Sequence, residues 1–130
     1  MKPNVMLTIT SLLSIVLFSL HWADEVARGL EPGTISAIGG LAILAVWLCG
    51  TLVLAGRRLG LVIILLGSIL GAGVPVLHML GVGWVGGRIA ANTSGAFFWV
   101  WTNIALWMTA SISVILAARG LWGLRRGRSQ

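Results

Sequence analysis

Four long apolar stretches, separated by short segments rich in glycine or arginine, constrain this chain more than any other feature. A helix needs about 20 mostly apolar residues to cross the hydrocarbon core of a bilayer. The sequence therefore predicts membrane-spanning helices at about residues 6–22, 35–56, 61–82 and 96–118. Only 9% of the residues are charged, whereas a soluble domain carries about 25%. We predict one all-α integral membrane domain, a four-helix bundle with short loops.

The basic residues fall mainly on one side of these predicted spans. Only Arg28 and Arg88 lie on the other side, whereas seven basic residues flank the side that carries both termini: Lys2, Arg57, Arg58, Arg119, Arg125, Arg126 and Arg128. Cytoplasmic loops carry an excess of Lys and Arg. We therefore expect both termini in the cytoplasm and the loops at 23–34 and 83–95 outside. The small size and high arginine content favour the plasma membrane of a bacterium.

Residues 119–130 form a basic juxtamembrane tail with Trp122 among its arginines. Tryptophan is typical of the membrane–water interface, and clustered cations attract anionic lipids. We therefore predict that the tail contacts anionic lipid headgroups and that the lipid bilayer is the main partner. No soluble domain is available to present this charge to a duplex, so we expect no nucleic-acid partner.

Small and polar residues predict which helix faces pack together. Gly67 and Gly71 form a small-xxx-small pattern that allows close approach of a neighbouring helix. In the second span, a stripe of small residues predicts a buried face: Gly39, Ala42, Ala45 and Cys49. In the fourth span, a second stripe predicts a face turned toward the other helices: Trp99, Thr102, Leu106, Thr109 and Ser113.

All acidic residues of the chain lie within residues 24–31, next to one of its two histidines. If the first helix continues past Trp22, then His21 and the charged residues that follow it share one helix face. His78 ends the third span at a similar depth. We therefore predict a polar cluster at the outer face, with these candidate ligand-binding residues: His21, Asp24, Glu25, Arg28, His78 and Asn103.

The two histidines leave four roles open. They could form structural hydrogen bonds, line a ligand pocket whose charge selectivity comes from the neighbouring charges, bind a transition metal with a carboxylate, or hold a haem between them. Imidazole suits Zn, Cu, Fe and Ni. A haem requires two histidine rings that face each other across a gap. We expect no cofactor, with haem or a transition metal bound by His21 and His78 as the alternatives.

The sequence favours a non-enzymatic protein, because no nucleophile stands beside a base, and we predict no catalytic residues. It also lacks a carboxylate within any predicted span, which disfavours a proton-coupled transporter. The expected function is that of a structural, accessory or partner-binding membrane component, acting as a homo-oligomer or within a larger membrane complex. The alternative is an outward-facing protein that binds a ligand, metal or haem for transport or redox chemistry.

Overall fold

The computed structural model describes residues 4–27, 34–80 and 95–127. These residues form four α-helices without a strand: α1 (Val5–Ala27), α2 (Thr34–Leu52), α3 (Arg58–Leu80) and α4 (Ala96–Arg126). The prediction of an all-helical chain is confirmed. Three helices are long and apolar enough to cross a membrane, namely Val5–Ala27, Arg58–His78 and Ala96–Arg126. The apolar helix Ala37–Leu52 is shorter, so a fourth span stays a prediction.

The helices extend beyond the apolar stretches that predict them. α1 continues to Ala27 rather than ending near residue 22, and α4 continues to Arg126 rather than residue 118. Arginine and glutamate are good helix formers, so charged residues prolong the helices past the apolar segment. Most of the predicted basic tail is therefore helical. The turn between α2 and α3 contains Gly56 with a left-handed φ of 77°, which glycine adopts without strain.

α1 and α4 pack side by side and run antiparallel. Ser14 Oγ lies 3.0 Å from Thr109 Oγ1, and Ser113 Oγ lies 2.9 Å from Thr10 Oγ1. We call these four residues the hydroxyl seam between α1 and α4. Lipid offers no hydrogen-bond partner to a side chain, so polar groups in membrane helices pair with one another. The predicted inward stripe of α4 is confirmed, since its members are buried except for the half-buried Thr109.

This arrangement gives the molecule two chemically different ends. The C-terminal ends of α1 and α3 lie beside the N-terminal end of α4, and we call this the histidine end. The turn between α2 and α3 and the C-terminal end of α4 form the opposite end. We call it the arginine end because the structure places these residues there: Arg57, Arg58, Arg119, Arg125 and Arg126.

Trp47 joins α2 to the other helices. It is 1% exposed, and its indole Nε1 donates a hydrogen bond of 3.0 Å to Ser11 Oγ. Its ring lies so close to Gly67 that a Cβ atom at that glycine would stand 2.5 Å away. Gly71 contacts the same ring. The close approach predicted from the Gly67–Gly71 pattern is confirmed, and Trp47 fills the space that the two glycines leave.

The predicted packing face of α2 is wrong. Gly39, Ala42, Ala45 and Cys49 are exposed, whereas Trp47 and Thr51 are buried. Thr51 Oγ1 lies 2.8 Å from Ser11 Oγ. A buried polar donor or hydroxyl needs a hydrogen-bond partner, but a small apolar residue does not. The bonds of Trp47 and Thr51 to Ser11 therefore orient α2 against α1.

Candidate functional site

Three buried side chains converge at the histidine end. His21 Nε2 lies 3.2 Å from His78 Nε2 and 3.4 Å from Glu25 Oε1, and His78 Nε2 lies 3.1 Å from the same Glu25 oxygen. The exposed fractions are 1% for His21, 2% for His78 and 6% for Glu25. We call these residues the His–Glu–His cluster. They are the group that could hold a metal ion within the described part of the chain.

The helices explain why these three residues meet. His21 and Glu25 are four residues apart on α1, so one turn of helix stacks them on the same face. His78 comes from the last turn of α3, which runs parallel to α1 and ends at the same level. The similar depth predicted for the two histidines therefore becomes direct contact between their ring nitrogens.

Hydrogen-bond and ion-pair contacts join the three residues, but they leave some of their buried polar atoms unpaired. A neutral imidazole carries one N–H, and an ionised carboxylate only accepts. Asn103 Nδ2 lies 3.3 Å from His21 Nδ1. If it donates there, the single ring hydrogen of a neutral His21 is on Nε2 and faces both cluster partners. Despite its short distances, Glu25 Oε1 makes no hydrogen bond of good geometry.

The cluster has the dimensions of a metal site. Three corners of a tetrahedron around zinc, at bonds of about 2.0 to 2.2 Å, are about 3.3 to 3.6 Å apart. The three distances in the cluster are 3.1, 3.2 and 3.4 Å, so an ion needs shifts of only a few tenths of an ångström. Two imidazoles and one carboxylate are zinc ligands, and three protein ligands leave a fourth position open.

Trp99 covers the two imidazole rings. Its ring centroid lies 5.3 Å from that of His21 and 4.9 Å from that of His78. It is 7% exposed, so it shields the histidines from lipid and fixes their ring planes. The sequence placed Trp99 on the inward face of α4 but did not assign it to the site. Its position four residues before Asn103, on the same helix face, was the available signal.

The geometry does not fit a haem between the histidines. Their ring centroids are 5.0 Å apart with an interplanar angle of 74°, and the facing nitrogens are 3.2 Å apart. A porphyrin plane must pass between two axial histidines. These rings are in edge contact and leave no slot for it. Of the two alternatives involving a cofactor, the structure favours a single ion.

The structure brings together four of the six predicted site residues, namely the His–Glu–His cluster and Asn103, which is also buried. Asp24 is half-buried and does not join the three converging atoms. One residue along a helix turns the side chain by about 100°, so Asp24 and Glu25 face different directions. Arg28 lies outside the described residues.

Asn103 is positioned to orient His21 as a ligand. Metal binding at Nε2 requires the ring hydrogen on Nδ1, and that hydrogen needs an acceptor. Asn103 Oδ1 is buried without a hydrogen-bond partner, whereas its Nδ2 donates to the carbonyl oxygen of Trp99 at 3.1 Å. Rotation of the amide would offer Oδ1 to His21 Nδ1 and would give up the hydrogen bond from Nδ2 to Trp99. With a metal bound at Nε2, Asn103 Oδ1 would gain the hydrogen-bond partner that it lacks here.

We expect Asn103→Leu to weaken Zn²⁺ binding by about 10- to 100-fold, the usual effect of removing an outer partner of a ligating histidine. Asn103→Asp retains an acceptor oxygen and should bind at least as tightly as the wild type. Competition with a fluorescent zinc chelator measures both. Thr102→Val is the matched control, because the Thr102 hydroxyl donates only to carbonyls of its own helix. Wild-type affinity in Asn103→Leu would contradict this role.

No protein-family model, curated protein or solved structure matches this chain. The geometry of the His–Glu–His cluster and the distribution of charge along the helices are therefore the indications of function.

Proposed function

We propose that this chain is a small, non-enzymatic membrane protein that binds one divalent transition-metal ion at the His–Glu–His cluster. The observation that carries the proposal is the convergence of three buried ligand atoms within 3.1–3.4 Å, of which the Glu25 oxygen lacks a well-formed hydrogen bond. Two imidazoles and a carboxylate suit Zn²⁺ better than Mg²⁺ or Ca²⁺, which prefer sites made of oxygen atoms alone.

The ion would enter from the outer side of the membrane. The histidine end lies opposite the described arginines, and basic residues favour the cytoplasm. This polarity supports a bacterial plasma-membrane protein with an outward-facing metal site. Self-association or incorporation into a larger membrane complex remains a prediction from the sequence.

The ion would also have a structural role. The structural or accessory function expected from the sequence and the metal-binding alternative are then compatible. His21 and Glu25 belong to α1, whereas His78 belongs to α3, so one ion cross-links two helices that are not consecutive in the chain. A ligand that binds only the folded state at 100 times its Kd adds about 2.7 kcal/mol to stability. Metal binding therefore tightens the histidine end.

The test is metal retention by the purified full chain in mild detergent. The variant Cys49→Ser serves as the parent protein, because it removes the one thiol of the chain, which is exposed. After treatment with a chelator, the protein is offered Zn²⁺, Co²⁺ or Mg²⁺ and analysed for bound metal. We expect one Zn²⁺ per chain, a tetrahedral Co²⁺ absorption spectrum, no bound Mg²⁺ and a higher unfolding temperature with Zn²⁺. Acid should release the ion, because protons compete for imidazole nitrogens.

Two outcomes would contradict the proposal. One is the absence of stoichiometric Zn²⁺ in folded protein. The other is equal Zn²⁺ retention by the double variant His21→Ala/His78→Ala, which lacks every histidine of the chain. Circular dichroism with each sample separates lost binding from lost folding.

A further inference from the structure

A groove of about 500 Å³ lies on the outside of α3 and α4 near the arginine end. α4 contributes Ala118, Leu121, Trp122 and Arg125, and α3 contributes Leu65. The four α4 residues follow the spacing of three, four and seven that lines one helix face. The groove is thus apolar along its floor and carries a guanidinium at one end.

The length of α4 places this charged end outside the hydrocarbon. Its 31 residues span about 46 Å at 1.5 Å per residue, whereas the hydrocarbon core is about 30 Å thick. Arg125 lies about 10 Å farther along the helix axis than Ala118. The groove therefore runs from hydrocarbon depth, at Leu65 and Ala118, to headgroup depth at Arg125.

Among the described residues, the acidic side chains are those of Asp24 and Glu25, at the C-terminal end of α1. Arg125 lies at the opposite end of the molecule. The guanidinium of Arg126 lies over the Trp122 ring at 5.2 Å. The charge of Arg125 is complementary to an anionic headgroup.

We infer that this groove binds one anionic phospholipid, with an acyl chain along Leu65 and Leu121 and the phosphate at Arg125. A free phosphate ion would make no contact with the apolar floor. A phospholipid in a membrane places its acyl chain at hydrocarbon depth and its phosphate at headgroup depth, which matches the apolar floor and Arg125 respectively. The site is independent of the metal site, which lies at the other end of the helices. A basic residue near a membrane surface contributes about fivefold to anionic-lipid affinity.

The experiment uses the full chain in nanodiscs of phosphatidylcholine. Chain-brominated phosphatidylglycerol or chain-brominated phosphatidylcholine is added at equal mole fractions, and quenching of tryptophan fluorescence is measured. We expect stronger quenching by phosphatidylglycerol, and we expect Trp122→Phe to remove the difference. Arg125→Gln should weaken the preference about fivefold.

Arg58→Gln is the matched control, because it removes an exposed arginine from the same end without altering the groove. It should retain the preference for phosphatidylglycerol, and excess inorganic phosphate should leave the quenching unchanged. Equal quenching by the two lipids would overturn the inference. Equal losses in Arg58→Gln and Arg125→Gln would also overturn it, because they would indicate general attraction to a charged surface. Complete competition by phosphate would indicate an anion site without an acyl chain.

Discussion

Replacing His78 with Ala is expected to lower the affinity of the chain for Zn²⁺ by more than about 100-fold, beyond the usual effect of removing an outer partner of a ligand. The variant keeps two ligands on one helix turn, but it loses the one that α3 supplies. Glu25→Gln should cause a comparable loss, since an amide lacks the negative charge that offsets part of the charge of the ion. Chelator competition and the Co²⁺ spectrum measure both effects.

Asp24→Asn is the matched control, because it neutralises the adjacent carboxylate, which lies outside the cluster. Its Zn²⁺ affinity should equal that of the wild type. Glu25→Gln keeps the shape of the side chain but gives up the contacts of the carboxylate with His21 and His78. Its folding in chelator is therefore compared with that of the metal-free wild type by circular dichroism. Wild-type Zn²⁺ affinity in Glu25→Gln would contradict the metal site.

Trp47→Ala is expected to cost about 3–5 kcal/mol of folding free energy, the range for truncating a buried large aromatic residue. The indole fills the space against Gly67 and Gly71 and donates to Ser11. Its removal leaves a cavity between α2 and α3 and takes one of two hydrogen-bond partners from Ser11, which keeps its bond with Thr51. Reversible unfolding by denaturant in lipid–detergent micelles measures the loss.

Two further variants serve as controls for Trp47→Ala. Trp107→Ala removes a tryptophan that is 50% exposed on α4 and should change stability little. Trp47→Phe keeps much of the ring but loses the donor, so it should cost about 0.5–1.5 kcal/mol for the hydrogen bond, plus a smaller packing loss. Equal stability of Trp47→Ala and Trp107→Ala would show that α2 does not depend on this contact.

The histidine end could be predicted in part because helix geometry acts over short distances in sequence. The spacing of His21 and Glu25 places both on one face, and Ser14 lies on the same stripe seven residues earlier. Glu25 lies about 40° from His21 around the helix, on the side of Ser14, whereas Asp24 lies about 60° away on the other side. From the sequence, both carboxylates are candidate ligand-binding residues. The hydroxyl seam, which orients α1 against α4, determines that Glu25 turns inward.

Contact between His21 and His78 could not be derived from sequence. Equal depth follows from the lengths of the apolar segments, but contact depends on how α1 and α3 rotate about their axes. That rotation is fixed by tertiary packing. The wrong face assigned to α2 has a related cause, since small residues pack equally well against lipid or protein. Trp47 and Thr51 carried the more informative signal, because their polar groups require partners.

Because the His–Glu–His cluster is built from two separate helices, its residues are synthesised at different times. His21 and His78 are 57 residues apart in the chain, and ribosomes add about 5–20 residues per second. His21 and Glu25 are therefore synthesised about 3 to 11 s before their third partner. Trp99 and Asn103 follow later still, on α4. During this interval the nascent chain holds a carboxylate and an imidazole without their third partner. The three candidate ligands thus all precede α4 in the chain, and the pocket is complete only when α4 places Trp99 and Asn103 against them.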